Sequence, residues 1–262
     1  MEKISVIIIA KNESGNIKDC IVAAKQISDD IIVIDSGSTD DTVGLARKEL
    51  ARVFSIEWKG YGNARNAGAE QARNDWIFSL DADERVTPGL AGALSAKSFL
   101  LVNNVYRLHR INYFGGKKIN YGSFAHDDIT RLYNRTHCKW DQSPVHEKLT
   151  GRNMQVIPLK ANLLHYAAKQ EQHYLEKITQ YAALCAVKYQ QEGKTFISAR
   201  RLLSPPFNFL KEYIFQLGLL DGRAGLSIAK IHFVYTIKKY RQLLALLDEE
   251  KKRTISHELV IP

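Results

Sequence analysis

Cysteine is scarce in this sequence, and the few cysteines it has are far apart. Of the 262 residues, three are cysteines, and their number and spacing fit neither a disulfide framework nor a zinc-binding pattern. Such a composition favours a reducing, cytoplasmic setting. The three residues are Cys20, Cys138 and Cys185.

Histidine motifs that bind zinc are also missing. No two of the eight histidines are three or four residues apart. His146 and Glu147 begin a pattern like that of zinc proteases, but Thr150 stands where the second histidine would be needed. The sequence therefore argues against a zinc enzyme.

Long apolar runs are absent as well. The first run, Ile4 to Ala10, ends after seven residues at Lys11 and Asn12, which is too short for a signal peptide and fits a first β-strand. Nowhere does an uninterrupted apolar stretch reach the roughly 20 residues that span a bilayer. We therefore expect a cytoplasmic protein that has no membrane-spanning helix.

Positive charge is concentrated in the last quarter of the chain. The formal net charge is +9, and between Lys194 and Arg253 there are 12 Lys and Arg against five Asp and Glu, a surplus of seven. Aromatic residues alternate with these cations, which is typical of helices lying on an anionic membrane surface. The alternative is that the helices pack on the preceding domain or form a homo-oligomer. The aromatic residues are Phe207, Phe209, Tyr213, Phe215, Phe233, Tyr235 and Tyr240.

Strand-like runs alternate with helical patterns in the first part of the chain. This alternation predicts right-handed crossovers and a mostly parallel sheet, which is an α/β, Rossmann-like fold. Ser38 or Thr39 is expected to cap the second helix. The predicted strands are Ile4–Ala10, Asp30–Asp35, Val53–Ile56 and Asp75–Leu80, and the third predicted helix covers Tyr61–Arg73.

Beyond Gly92 the pattern changes. Strands at Val105–Ile111 and Ile129–Tyr133 follow one another without an intervening helix, which predicts an antiparallel extension of the sheet. A helix is expected from Gln170 to Gln190, and Pro205-Pro206 are expected to break the chain before two apolar, basic helical segments. We predict a domain at 1–193 and a helical C-terminal region at 194–262.

Three carboxylates follow the fourth predicted strand. Asp81, Asp83 and Glu84 stand at its carboxyl end, where open α/β sheets bind ligands. In an extended chain Asp81 and Asp83 would point the same way, toward one cation that also holds phosphate oxygens. The alternative is a solvated acidic turn that precedes the helix after Pro88.

Arg65 is a second candidate for phosphate binding. Gly60 and Gly62 have the spacing of a dinucleotide-binding loop, but Arg65 takes the place of its third glycine. A guanidinium group at this point can instead contact a diphosphate. The alternative is a surface arginine on a helix.

Four sequence blocks together resemble the inverting family 2 glycosyltransferases of GT-A fold. Their order and spacing match that family, which is far more specific than any single block. A later segment, with Trp140, Pro144-Val145-His146-Glu147 and Leu164-His165-Tyr166, resembles the bacterial members that extend lipopolysaccharide cores. The four blocks are Ser5–Glu13, Ile32–Asp40, Ala64–Gly68 and Leu80–Glu84.

The resemblance implies a UDP-sugar donor and assigns a role to each matching residue. Asp83, with Asp81 nearby, would bind Mg²⁺ or Mn²⁺, Arg65 would lie by the phosphates, and His165 would approach the metal. Glu147 is assigned as the catalytic base, with Asp127, Asp128 and Asp141 as alternatives. The uridine would be held by Ala10, Asn12, Glu13 and Asp35, with Asp35 near the uracil ring.

The chemistry agrees with these residue types. Displacing a nucleoside diphosphate from a sugar requires a cation beside the leaving group, and one carboxylate must take the proton of the attacking hydroxyl. One base on the opposite face of the sugar gives inversion. Together with the resemblance, which implies the donor and the acceptor, this chemistry leads us to expect a metal-dependent transferase of hexose from a UDP-sugar to a lipopolysaccharide core or related glycolipid, working at the inner face of the cytoplasmic membrane.

Other functions have weaker support in the sequence. A glycosyltransferase with a soluble polysaccharide or protein acceptor would not need the basic, aromatic C-terminal region. A sugar nucleotidyltransferase would carry a glycine-rich loop where Lys11-Asn12-Glu13 stands. A non-catalytic nucleotide-sugar or nucleic-acid binding protein could explain the net charge, but basic residues confined to the C-terminal region do not form a nucleic-acid groove.

Overall fold

The computed structural model describes residues 3–96, 99, 101–143, 147–168, 171–194 and 197–258. The chain forms two compact units, of which the first comprises Met1–Tyr113 and His126–Ala167 and the second Phe114–Ala125 and Ala168–Pro262. The second unit thus already includes the helix predicted from residue 170. The domain division predicted after residue 193 stays a prediction.

The first half of unit 1 is a parallel sheet, as predicted. Its strand order is β3-β2-β1-β4, and every residue of β1 and β2 is buried. Their β-branched side chains suit a sheet that is covered on both faces. The strands are β1 (Ile4–Ala10), β2 (Asp30–Asp35), β3 (Arg52–Ser55) and β4 (Trp76–Asp81), and the crossover helices are α1 (Ile17–Ala24), α2 (Thr42–Lys48) and α3 (Tyr61–Glu70).

Each face of this sheet has its own hydrophobic core. On one face Val6 and Ile8 pack in the same cluster as Ile17 of α1. On the other face Ile7 and Ile9 join Ala64 of α3. Because successive strand residues point to opposite faces, α3 is held against the face that also carries Ser79 and Asp81 of β4.

Beyond β4 the sheet becomes antiparallel, which confirms the predicted extension. The order continues β4-β8-β6-β11-β5, and Phe78 of β4 lies opposite Leu132 of β8. The start of β8 therefore lies beside the end of β4. The elements are β5 (Glu84–Val86), α4 (Pro88–Ser95), β6 (Asn104–Phe114), β7 (Lys117–Lys118), β8 (Asp128–Asn134), β9 (Lys139–Trp140), β10 (Leu149–Thr150) and β11 (Gln155–Ala168), of which β9 and β10 pair separately.

Unit 2 is mainly helical. Helices α5 (Glu171–Gln191) and α6 (Ile197–Leu210) each pack against the long α7 (Arg223–Glu258). A π-helical turn, Lys211–Phe215, and a 3-10 turn, Gly218–Asp221, connect α6 to α7. The helix predicted from Gln170 to Gln190 is confirmed as α5. Among the described residues, no helix combines the length and the apolar character that crossing a bilayer requires.

Two local predictions were wrong. Pro205 and Pro206 do not break the chain but lie inside α6. The carbonyls that lose their helical donors there belong to the exposed residues Arg201 and Leu202, so water can satisfy them. Helix α2 is preceded by Asp41 rather than capped by Ser38 or Thr39, because those two residues bond to Asn12 instead.

The contact between α3 and the sheet predicts an asymmetry between two glycines. A Cβ on Gly68 would lie 2.4 Å from Cγ2 of Ile7, whereas a Cβ on the helical, exposed Gly92 would meet nothing within 4 Å. We expect Gly68→Ala to lower the free energy of unfolding by about 1–3 kcal/mol through overpacking. Gly92→Ala, the matched control, should leave it unchanged or raise it by up to about 1 kcal/mol. Urea unfolding measures both, and equal effects would contradict this packing.

Candidate active site

The loops after β1 and β2 form one hydrogen-bonded unit. The Asn12 backbone N–H donates to Ser38 Oγ at 2.9 Å, and the Thr39 N–H donates to Asn12 Oδ1 at 2.8 Å. The buried Asp35 carboxylate accepts from the N–H groups of Gly37 and Ser38, both at 3.1 Å. These bonds fix two neighbouring strand ends relative to each other.

The four residues predicted to hold uridine lie in this region. Ala10 and Asp35 are paired in the β1–β2 register, and Asn12 follows in a left-handed conformation with φ 55°. The Glu13 N–H donates to Thr42 Oγ1 at 2.8 Å, and the Glu13 carboxylate accepts from Asn16 Nδ2 at 2.7 Å. Glu13 therefore helps to set the start of α1, and nucleotide binding by the four residues stays a prediction.

Asp81 lies between two buried arginines. Its carboxylate contacts Arg65 Nη2 at 2.9 Å and Arg131 Nη2 at 2.6 Å. The Arg65 side chain also donates from Nε to Ser79 Oγ at 3.1 Å and lies over the Trp140 ring, 4.8 Å from its centroid. This places Arg65 inside the site and not on the surface.

Glu147 is the second carboxylate held by Arg65. Its Oε1 is paired with Arg65 Nη1, and its side chain is 12% exposed. Arg65 thus bridges the carboxylates of Asp81 and Glu147, which are far apart in sequence. The neighbouring Pro144, Val145 and His146, which belong to the sequence segment that suggested Glu147, lie outside the described residues.

Glu84 adds further ion pairs to those of Asp81. It is fully buried, and its carboxylate contacts Arg131 Nη2 at 2.5 Å and Arg110 Nη1 at 3.0 Å. It also accepts the Asp81 backbone N–H at 3.0 Å. Arg110 in turn contacts Asp127 at 2.7 Å. Three arginines are therefore neutralised by carboxylates at the end of β4.

The ion pairs shift the pKa values of Asp81 and Arg131 in opposite directions. Burial alone would raise the pKa of Asp81, but Arg131 and Arg65 outweigh it, so the pKa is lowered below its usual value. Burial alone would lower the pKa of Arg131, but Asp81 and Glu84 outweigh it, so that pKa is raised. Both groups therefore stay charged at neutral pH.

Asp83 lies beside His165. Strand β4 ends at Asp81 and a turn through Ala82 and Asp83 leads into β5, so the extended geometry expected for the two aspartates is not present. Asp83 is mostly buried, and its Oδ1 lies 3.6 Å from His165 Nε2. This proximity follows from the pairing of β11 with β5, in which His165 lies opposite Glu84.

The hydrogen bonds around His165 fix its tautomer. The Asp127 carboxylate can only accept, so Asn112 presents its Nδ2 to Asp127 at 2.9 Å and turns its Oδ1 toward His165 Nδ1 at 2.5 Å. An amide oxygen also only accepts, so Nδ1 of His165 carries the proton. In neutral His165 the lone pair is then on Nε2, on the side of Asp83, which is how metal-binding histidines are commonly oriented.

Asp83 and His165 can contribute two ligands to a divalent cation. In the part of the chain that the structure describes, no group of three or more His, Cys, Asp or Glu is arranged to hold a metal. A site with two protein ligands leaves most positions open for water and phosphate oxygens, as is usual for Mg²⁺ beside phosphates. The donor atoms therefore fit a cation that binds together with a diphosphate, and the metal role stays a prediction.

The alternative bases, like Glu147, have structural partners. Asp127 is engaged by Arg110 and Asn112. The exposed Asp128 lies 3.0 Å from His109 Nδ1. Asp141 accepts the N–H groups of Ser143 and Lys148 and so closes its own loop. Glu147 is the candidate base that shares an arginine with Asp81.

Several site residues were missed by reading the sequence. Arg131 had a signal, because a strand with period 2 places it on the same face as the apolar Ile129 and Tyr133. An arginine at such a position indicates a buried ion pair. Arg110 and Asn112 gave no comparable signal, since their partners are set by the pairing of separate strands.

Known proteins resemble the chain over different lengths. A family model described as Glycosyl transferase family 2 matches residues 5–98. An uncharacterized glycosyltransferase of Rickettsia felis is 44% identical over 238 residues, which cover 86% of this chain and 83% of the relative. The lipopolysaccharide core biosynthesis glycosyltransferase LpsC of Rhizobium meliloti is 29% identical over 233 residues, which cover 86% of this chain and 84% of LpsC.

A solved structure matches a smaller part of the chain. Glucosyl-3-phosphoglycerate synthase from Mycobacterium tuberculosis, in complex with Mn²⁺, UDP and glucosyl-3-phosphoglycerate, is 27% identical with a TM-score of 0.35. The match covers 44% of this chain and 45% of that chain.

The lowered pKa of Asp81 predicts a pH-dependent stability. A carboxyl whose pKa is lower in the folded state stabilises the fold above its ordinary value of about 3.9, and that contribution is lost as the pH falls toward the folded pKa. We expect the free energy of unfolding of wild type to exceed that of Asp81→Asn near neutral pH. The difference should shrink below about pH 4. Urea unfolding over a pH series measures it, and a constant difference would contradict the ion-pair assignment.

Proposed function

The chain belongs to glycosyl transferase family 2, and from that premise we propose that it transfers a hexose from a UDP-sugar to a lipopolysaccharide core or related glycolipid acceptor. The donor and the inverting course follow from the sequence resemblance. The acceptor is supported by the similarity to LpsC, a relative named for lipopolysaccharide core biosynthesis.

The observation that carries the proposal is the Asp83–His165 pair at the end of β4. Its atoms are 3.6 Å apart, and Asn112 orients the imidazole toward the carboxylate. These two residues would hold Mg²⁺ or Mn²⁺. When bound, such an ion neutralises the charge of the leaving diphosphate.

The ends of β1 and β2 would hold the nucleotide. The Asp35 carboxylate is fixed by two backbone N–H groups and can accept a hydrogen bond from the N–H of a uracil ring. The loop through Asn12 and Glu13 is joined to the loop after β2, which favours a preformed surface for the base and ribose. Arg65 and Asp81 lie at the end of β4, which pairs with β1.

Glu147 would act as the base. Its carboxylate is held near the end of β4 by Arg65, which is itself fixed by Asp81 and Ser79. In the reaction the Glu147 carboxylate would take the proton of the acceptor hydroxyl while that oxygen attacks the anomeric carbon and the UDP leaves from the opposite face. A single base used in this way gives inversion.

Replacing Asp83 tests the metal assignment. Asp83→Asn removes the charged ligand but keeps the shape, so Mn²⁺ should no longer strengthen UDP binding, with a loss of about tenfold or more in metal-dependent affinity. Calorimetric titration of UDP with and without Mn²⁺ measures this. Asp128→Asn, the same change at an exposed carboxylate of β8, is the control and should respond to Mn²⁺ like wild type. Metal-dependent affinity that is unchanged in Asp83→Asn would exclude Asp83 as a ligand.

Replacing Glu147 tests the base. In a transfer assay with UDP-hexoses, Mn²⁺ and core oligosaccharide acceptors, wild type should transfer one of the sugars. Glu147→Gln should be slower by about 10² or more, because the amide cannot take the proton. Its affinity for the UDP-sugar should stay near that of wild type. Near wild-type turnover would move the base elsewhere, and Asp127→Asn and Asp141→Asn would then be compared.

A further inference from the structure

Unit 2 exposes an unusually apolar surface between residues 200 and 223. Four side chains on α6 and the π-helical turn follow helical spacing, so they form one stripe along the same side. Phe207 is 59% exposed and Phe215, at the end of the turn, is 71% exposed. The four residues of the stripe are Leu203, Phe207, Leu210 and Ile214.

The following turn adds to this surface. Leu217, which precedes the 3-10 turn, and Leu219 and Leu220 within it are all exposed, and this turn contacts the π-helical turn. Large apolar side chains that are exposed side by side are uncommon on a surface that faces only water, and they indicate an interaction site.

All exposed charge in this segment is positive. Residues 197 to 223 are all described, and Arg200, Arg201, Lys211 and Arg223 are exposed among them. The segment contains two carboxylates, Glu212 and Asp221, and both are buried.

The two carboxylates are buried because they bind backbone amides. Glu212 accepts the Ser123 N–H at 2.9 Å, and Asp221 accepts the Tyr121 N–H at 2.9 Å. Neither is available to balance the exposed arginines and lysine. In residues 197–223 the apolar stripe is therefore accompanied by exposed charges that are all positive, which we call the cationic border.

The aromatic residues of α7 are not part of this surface. Tyr240 is buried, and Tyr235 is partly buried and donates to Cys185 Sγ at 3.0 Å. Lys239 is also buried and lies over the rings of Tyr189 and Tyr240. Tyr235, Tyr240 and Lys239 therefore pack between α5 and α7, whereas Lys230 and Arg241 of α7 are exposed.

We propose that the face formed by residues 200–223 lies in the headgroup region of an anionic membrane. Apolar side chains would enter the boundary with the acyl chains while the cationic border contacts lipid phosphates, as in other interfacial helices. A second copy of this chain fits less well, because a two-fold interface would bring the cationic borders together. Charge complementarity thus selects the anionic lipid surface.

Vesicle binding by the full chain tests the proposal. Wild type should sediment with vesicles of phosphatidylcholine and phosphatidylglycerol at low salt and be released as the salt concentration rises. Phe207→Ser/Phe215→Ser should weaken this partitioning at least about tenfold. Arg200→Gln/Arg201→Gln/Lys211→Gln should weaken it about 100-fold, at about fivefold for each cation removed.

Matched variants in unit 1 serve as controls. Leu50→Ser removes an exposed apolar side chain elsewhere, and Lys18→Gln/Lys139→Gln/Lys160→Gln removes three exposed cations elsewhere. Both should bind vesicles like wild type, and circular dichroism on heating checks that each variant is folded. The vesicle assay contains no sugar donor. A failure to bind vesicles would therefore count against the membrane proposal and not against the proposed glycosyl transfer.

Three outcomes would overturn the proposal. The first is wild type remaining in the supernatant with anionic vesicles at low salt. The second is equal binding by wild type and Phe207→Ser/Phe215→Ser. The third is a wild type that does not bind vesicles and is a dimer by sedimentation equilibrium, while the double variant is a monomer. That result would make the face an interface between two copies.

Discussion

The arrangement of the candidate site depends on Asp81 lying between Arg65 and Arg131. This one carboxylate connects α3, which carries Arg65, with β8, which carries Arg131, at the end of β4. Arg65 then holds Glu147, and Arg131 holds the buried Glu84. Removing one partner from a buried ion pair usually destabilises a protein by about 3–5 kcal/mol. The position of the candidate base is therefore coupled to the stability of the sheet.

The sequence was sufficient to predict the parallel half of the fold and the edge of the sheet at which the candidate residues lie. Runs such as Ile4–Ala10 and Asp30–Asp35 are recognisable because a strand that is buried on both faces needs apolar, β-branched residues throughout. Parallel strands also place their following loops at one edge. The Arg131–Asp81 contact within that edge was not predictable, because it depends on the register of antiparallel strands that are distant in sequence. The proximity of His165 to Asp83 depends on such a register as well, and only the family resemblance implied it.

In the C-terminal region, the sequence did not predict which side chains are exposed. Composition identified apolar, aromatic and basic residues but not which of them face outward. That choice is made when α5 and α6 pack on α7, which buries Tyr240 and Lys239 and leaves Phe207 and Phe215 exposed. Pro205 and Pro206 were read as a break, because the rule against proline within helices assumes that the freed carbonyls have no other partner.

The pairing of charges also explains why a cation would be needed for donor binding. The guanidinium groups of Arg65, Arg110 and Arg131 face carboxylates of Asp81, Glu84, Glu147 and Asp127, so they offer little net positive potential to a diphosphate. A diphosphate entering such a site would meet neutralised arginines and the carboxylate of Asp83. A divalent ion between Asp83 and the phosphates reverses that repulsion. Metal dependence would then follow from the balance of charges at the end of β4, whichever hexose is transferred.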